Sequence, residues 1–438
     1  MADSTLPLLL EGYAWLPDRR RRGGGAPVRT RLLGRRVIAL HGPAAVRFFY
    51  DEKHIRRHGA LPEPVIDTLF GQGAVHTLDG EPHRVRKGMF VRLLSDPAAV
   101  RALTDHVGLE WRRAAAGWAG RGRVVLFDEV AGVLTRAVHA WAGVPLPEAG
   151  ADGVARDLVA MVDGFASAGP RRLRARRARC RQERRVARLV EAERADAAAP
   201  AVGAGHAVRA SHSGDGRPAG DGERGTPFHT VVHHRDAGGA LLDARTAAVE
   251  VLNILRPTVA VTWFAVFAAH ALHRRPGHRV ALRGGDPAFA LAFAQEVRRF
   301  YPFAPFVGGL AADRLTWAGR TIRPGTLVLL DLYGQNHDPD LWPRPYVFDP
   351  DRFRGAPVRP DELVPQGGGD PATGHRCPGE DITLAVLSAL AVPLADLSYR
   401  VPEQDLSIPL GRIPTAPRSG FVIEDVRWPG PQHPFRDQ

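Results

Sequence analysis

Cys377 stands in the run Gly367-Gly368-Gly369-Asp370-Pro371-Ala372-Thr373-Gly374-His375-Arg376-Cys377-Pro378-Gly379-Glu380. Glycines ahead of a cysteine let the backbone curl until its N–H groups point at the sulfur. A helix starting just after it adds the positive end of its dipole. Both favour thiolate over thiol, the form that a metal-ligating sulfur needs. Gly379 admits close approach of a flat ligand, and Pro378 suits a helix start. A lone buried cysteine is ordinarily a small core residue. The glycine lead and the basic His375-Arg376 pair argue against that here.

Glu296 and Arg299, three residues apart, share one face of a helix. A surface ion pair of this kind contributes little on its own. Downstream, Trp342-Pro343-Arg344-Pro345-Tyr346-Val347-Phe348-Asp349-Pro350-Asp351-Arg352-Phe353 supplies a second arginine, Arg352, able to close a buried Glu–Arg–Arg network. The apolar stretch 249–272 carries Arg256 beside Pro257. A guanidinium on a buried apolar helix must find an anion, because an unpaired buried charge is strongly destabilising. That anion is either a structural carboxylate of the protein or a substrate carboxylate gripped by two parallel hydrogen bonds. Pro257 is expected to break or kink the helix and open room beside it.

Taken in order, the E-x-x-R helix, the W-x-x-P…F-x-P-x-R-F meander and the Gly-rich Cys loop resemble the cytochrome P-450 family. The resemblance implies a mainly α fold with a minor β part. It implies a single domain over residues 1–438, with haem b buried between a long central helix and the Cys loop. It further implies Cys377 as the axial ligand of the iron and His375 near a haem propionate. Glu296, Arg299 and Arg352 would lock the meander under the haem. His83, Arg86 and Lys87 resemble the family's propionate-contacting helix. A thiolate trans to bound oxygen favours O–O cleavage.

One departure narrows the function. Residues 251–262 of the central helix show no acid–alcohol pair where the family carries one; Arg256-Pro257 stands there instead. Asn253 to Pro257, the run from Phe70 to Gly80, the run from Arg298 to Gly308 and the Gly-Gly-Gly-Asp approach to the Cys loop resemble the bacterial fatty-acid peroxygenases. That resemblance implies a long-chain fatty acid held by its carboxylate on Arg256. The carboxylate then supplies the missing acid–base function, moving a proton between the oxygens of hydrogen peroxide. No redox partner is needed, and holding the acid group leaves the α and β carbons nearest the oxidant. His76 matches a position that is Gln or His in this branch. Histidine there is reminiscent of members that decarboxylate fatty acids to terminal alkenes, but hydroxylases share it, so the product stays open. Phe70, Phe303 and Phe306 are expected along the acyl channel. The alternatives are a redox-partner-dependent monooxygenase with Arg256 neutralised internally, and a non-catalytic haem-binding protein.

The elements that must position these residues follow from composition and periodicity. Helices are expected over 98–118, 132–144, 243–272, 286–301 and 381–397. A β-type run covers 36–40, a strand pair is expected from 315–318 with 328–332, and a Pro-rich meander fills 336–365. Nine arginines crowd 171–185, read as a solvated helix face rather than an anion-binding patch. Residues 200–227 are dense in Gly, Pro, Ser and charge, which predicts a flexible surface loop.

The net charge of +12, from 59 Lys+Arg against 47 Asp+Glu, invites a nucleic-acid reading. Almost all of the excess is Arg in an Ala-, Gly- and Pro-rich chain, and no aromatic–basic interleaving accompanies it, so no nucleic-acid partner is expected. Two distant cysteines exclude a disulfide framework and suit a reducing, cytoplasmic location. The stretch 249–272 is long enough to cross a bilayer, but Arg256 and Glu250 within it predict a buried core helix, not an integral membrane protein.

Overall fold

Thirty-one residues, Ala244–Arg274, form one helix around which the rest of the computed structural model is arranged. The structure describes residues 2–198, 225–355 and 357–428. Asp243 caps this central helix, its carboxylate accepting from Thr246 N–H at 3.0 Å. By length and composition the helix could cross a membrane, yet 94% of its most apolar window is buried inside the fold. It packs against the helices Leu126–Ala142, Ala151–Gly164, Pro170–Ala198, Pro287–Phe300 and Glu380–Asp396. Trp263 meets Phe127 edge-on with ring centroids 4.8 Å apart, and Phe267 stacks on Tyr301 at 4.6 Å. Burying each such aromatic stabilises by about 1.5–3 kcal/mol, which outweighs helix propensity along this segment.

Pro257 neither ends nor divides the helix, contrary to the break expected from sequence. The packing on almost every side holds the backbone helical through it, and the Thr258 hydroxyl donates to the Ile254 carbonyl one turn back at 2.9 Å. The other expected helices appear with small boundary shifts, as Pro97–Trp118, Leu126–Ala142, Pro287–Phe300 and Glu380–Asp396. Asp96 and Asp286 cap the first and third of these.

The β part is small and lies to one side. Its largest sheet has five strands in the order Val28–Leu32, Arg35–Leu40, Leu327–Asp331, Phe306–Ala311, Ile55–Arg56. Arg35–Leu40 runs parallel to Leu327–Asp331; the other neighbours are antiparallel. The strand pair expected between 315–318 and 328–332 is not made. Leu315–Trp317 instead turns back on Arg320–Ile322 through Ala318 and Gly319, both with positive φ, a turn whose twist suits a two-residue hairpin. Leu327–Asp331 is drawn into the large sheet, where its apolar residues are covered on both faces.

The arginine-rich helix Pro170–Ala198 presents Arg174, Arg176, Arg177, Arg181 and Arg184 to solvent, as expected, with Arg179 as a buried exception. Most of the segment expected as a loop at 200–227 lies outside the described residues. Its end is described: Thr226 caps the short helix Pro227–Val232, accepting from His229 N–H at 3.2 Å.

Candidate active site

The glycine run before Cys377 is dictated by close packing. A Cβ on Gly368 would meet Val46 at 2.2 Å, and one on Gly367, whose φ is +93°, would meet the Tyr50 hydroxyl at 2.3 Å. The loop therefore lies directly on the helix Pro43–Tyr50. The expectation that backbone N–H groups face the sulfur is not met. Among the described residues the donor to Cys377 Sγ is the Gln366 side chain, Nε2 at 3.7 Å. That amide is itself oriented: Nε2 also donates to Thr383 Oγ1 at 3.1 Å, and its Oε1 accepts from Arg298 Nε at 3.1 Å. Arg298, fully buried, reaches on to Glu380 at 2.6 Å, which Arg376 also grips. The helix after the loop starts at Glu380, with Gly379 as its cap. Gln366 and Arg298 carry no motif of their own, and sequence reading gave neither a role.

The Glu–Arg–Arg network forms as the spacing implied. Arg299 meets Glu296 through two hydrogen bonds of 2.7 and 2.8 Å, with both side chains inaccessible to solvent. Arg352 Nε lies 3.3 Å from Glu296 Oε2, an ion contact without hydrogen-bond alignment. Arg299 donates to the carbonyls of Asn336 and Pro345, and Asp349 N–H donates to Glu296 at 2.8 Å. The meander is thus fastened to the helix Pro287–Phe300 by charge-assisted bonds.

A second group of basic side chains gathers beside the Cys loop. The rings of His83 and His375 stack with centroids 3.8 Å apart. Burial pushes His83 down to about 3, with the neighbouring His375 and Lys87 adding to it, so the ring is neutral. Lys87 donates to the Arg376 carbonyl, and burial brings its ammonium down to about 8. Arg57, which sequence reading missed, lies buried with its guanidinium 4.2 Å from the Phe49 ring centroid. Arg86 corrects the expectation for this helix: it turns away to a 2.8 Å ion pair with buried Glu250. The reason is electrostatic. Glu250 on the central helix is a fully buried carboxylate, and the Arg86 guanidinium and Val75 N–H are what neutralise it.

That pairing leaves Arg256 alone. Glu250, three residues from Asn253, is satisfied by Arg86, Val75 N–H and Asn253 Nδ2. Arg256 gains one hydrogen bond, 3.3 Å to Asn253 Oδ1, and lies 5.7 Å from the Phe70 ring centroid. Its Nε is buried without a partner, and among the described residues no carboxylate pairs with it. Burial pushes its guanidinium down to about 9, with Arg179 adding to the shift and the Cys377 sulfur opposing it. A guanidinium stays protonated even so, and the direction marks a cation lacking its counter-anion. Phe70 also packs against His76, the rings tilted by 37° with centroids 4.2 Å apart. His76 is held well below the ordinary imidazole range, chiefly by burial and then by the Arg256 charge, so it is neutral. The loop carrying Phe70 is fixed by Arg179, which donates to the carbonyls of Leu69 and Phe70 at 3.1 and 3.0 Å. Gly71 is required there, since a Cβ would fall 2.1 Å from the Arg179 guanidinium.

The other two residues expected along the channel each have an aromatic neighbour in the core. Phe306 sits on the large sheet against Trp15, centroids 6.2 Å apart, in a separate small core. Phe303 packs on Phe264 at 4.7 Å, a core contact under the central helix. Phe70 lies beside Arg256.

Four of the expected site residues carry a buried nitrogen without a hydrogen-bond partner: His76 Nδ1, His83 Nδ1, His375 Nε2 and Arg256 Nε. Buried polar atoms are ordinarily satisfied, and unpaired nitrogens on these residues fit the binding of another group. A sulfur backed by an amide donor, with His83, His375, Lys87 and Arg57 gathered near the loop, fits an iron macrocycle bearing two carboxylates.

The comparisons agree with that fit. The cytochrome P-450 family profile matches residues 289–391. Human cytochrome P-450 4A11 is 31% identical over 140 residues, and the match spans 26% of that protein's length. Solved structures extend the likeness to nearly the whole chain. Cytochrome P-450SP alpha (CYP152B1) in complex with (R)-ibuprophen is 42% identical with a TM-score of 0.89, covering 98% of this chain and 100% of that one. Cytochrome P-450EX alpha (CYP152N1) with myristic acid is 35% identical with a TM-score of 0.87, covering 97% of each chain. A variant of cytochrome P-450 OleT in complex with arachidonic acid is 32% identical with a TM-score of 0.88, covering 97% of this chain and 96% of that one. Fold and site together define a haem-thiolate oxidoreductase. The chain belongs to the cytochrome P-450 family, with its structural neighbours among the fatty-acid peroxygenases.

Proposed function

We propose that this chain is a cytoplasmic fatty-acid peroxygenase, using hydrogen peroxide to oxidise long-chain fatty acids at the α or β carbon. Decarboxylation to a terminal alkene is the competing outcome. The observation that carries the reading is Arg256, a buried cation on the central helix with no carboxylate partner among the described residues. Two neighbours were solved with myristic and arachidonic acids, the ligand class that such a cation would hold.

The Cys377 thiolate would hold the haem iron, and the haem would supply the redox chemistry of peroxide-driven oxidation. The chain's own residues decide which molecule meets it and how. Arg256 binds the carboxylate with two parallel hydrogen bonds, strengthened where water is excluded. Asn253, hydrogen-bonded to Arg256 and to Glu250, orients the guanidinium. By fixing the acid group, Arg256 brings to the helix a proton-transfer group that its own side chains do not provide; the Thr258 hydroxyl, for one, is committed to the Ile254 carbonyl. Phe70 lies against both Arg256 and His76. His76, neutral, can accept or donate one hydrogen bond through Nδ1 without adding charge. His83, His375, Lys87 and Arg57 would hold the haem carboxylates. With the acid–base group supplied by the substrate, no redox partner is required.

The test compares a long-chain fatty acid with its methyl ester, which has the same chain without the charge. The acid is expected to perturb the haem spectrum and to be oxidised with peroxide, while the ester does neither. An ester bound and oxidised as well as the acid would overturn the role of Arg256.

A further inference from the structure

Away from the haem site, His229 and His233 lie one helical turn apart, at the short helix Pro227–Val232 and its C-cap. They face Glu193, near the end of the arginine-rich helix Pro170–Ala198. Residues four apart on a helix project from one face. His229 Nδ1 lies 3.1 Å from Glu193 Oε1, and the two imidazole rings have centroids 4.3 Å apart. One ligand atom from each of the three residues lies within 4.8 Å of the other two. His233 Nε2 is buried and has no hydrogen-bond partner. An ion pair between His229 and Glu193 alone would not call for that third, unsatisfied nitrogen.

We propose that Glu193, His229 and His233 form a Zn2+ site, with three protein ligands and the remaining position open to water. The donor set selects the ion. Two imidazole nitrogens and one carboxylate oxygen suit a borderline ion with tetrahedral preference, whereas Ca2+ and Mg2+ require shells built mainly of oxygen. Metal–ligand bonds of about 2.0–2.2 Å require the side chains to draw slightly together. His229 and Glu193 have the freedom to do so, their side chains being 50% and 39% exposed. The nearby cation, Arg194, is committed to the carbonyls of Val232 and Leu242 at 2.7 and 2.9 Å. A bound ion would tie together two elements whose ligands are 36 positions apart in the chain. Because the unfolded chain does not hold that arrangement, binding would stabilise the folded state.

The experiment titrates Zn2+ into the untagged, haem-loaded, full-length protein by calorimetry, after dialysis against a chelator. One saturable Zn2+ per chain is expected, together with a rise in melting temperature. His229→Ala, His233→Ala and Glu193→Gln should each weaken binding by about tenfold or more, while His234→Ala binds as the wild type does. All four variants should retain the haem spectrum, which shows that they fold. Absence of a saturable one-to-one site, or Zn2+ binding undiminished in a His229→Ala/His233→Ala double variant, would overturn the proposal.

Discussion

The proposed peroxide chemistry without a redox partner rests on Arg256. Its nearest helical carboxylate, Glu250, is already neutralised by Arg86, so the guanidinium has nothing of the protein's own to pair with. Arg256→Ala is therefore expected to keep the haem while peroxide-driven oxidation of a long-chain fatty acid falls by about 10²–10⁴-fold, the range of a lost general acid–base group. Adding a short free carboxylic acid should restore part of the turnover, because the small acid can occupy the vacated space. Undiminished activity in the variant, or no rescue of a folded one, would contradict the assigned role. Of the residues in this site, Glu296 and Arg299 were legible from their short spacing and Cys377 from its glycine-rich run, while the roles expected of Arg352 and Arg256 came from resemblance to the family. Gln366, Arg298 and the Arg86–Glu250 pair were not legible. Arg86 meets Glu250 across 164 positions, and no local pattern announces which buried acid a given arginine will reach.

Among the elements, the meander and the helix Pro287–Phe300 are joined through one carboxylate, Glu296, shared by two arginines. Glu296→Ala would leave Arg299 buried without its anion, a loss expected to cost about 3–5 kcal/mol. Chemical denaturation followed through both haem absorbance and far-UV dichroism checks this. A variant as stable as the wild type would show that the carbonyls of Asn336 and Pro345 satisfy Arg299 unaided. The helices expected from sequence were readable because their signals are local: Asp243 and Asp286 sit at the N-caps and apolar periodicity fills the turns behind them. Strand pairing was not readable. Leu327–Asp331 looks like any apolar strand, and its choice of Arg35–Leu40 and Phe306–Ala311 over the nearer Leu315–Trp317 is decided by burial on both faces. Pro257 does not break the helix for the same reason in reverse, since packing around the central helix overrides the local preference to stop.

For the whole molecule, several buried imidazoles set the response to acid. Burial pushes His139, His270 and His337 each down to about 4. In the unfolded chain each would take a proton near the ordinary value of about 6.5. Between those values the unfolded state binds more protons than the folded one, so stability falls as pH drops through 6.5 and the loss levels off near 4. Each ring contributes up to about 1.4 kcal/mol per pH unit across that window. The melting temperature should therefore decline from pH 7.5 to pH 5; one that stays constant would mean that these rings protonate within the folded protein. The central claim, that this fold oxidises fatty acids with peroxide alone, meets its most direct test in the haem-loaded protein given a long-chain saturated fatty acid and hydrogen peroxide, with no reductase, and mass spectrometry of the products. A hydroxy acid or an alkene one carbon shorter is the expected result. No product, from protein with a normal thiolate–haem spectrum, would contradict the claim and point to a monooxygenase that depends on a redox partner.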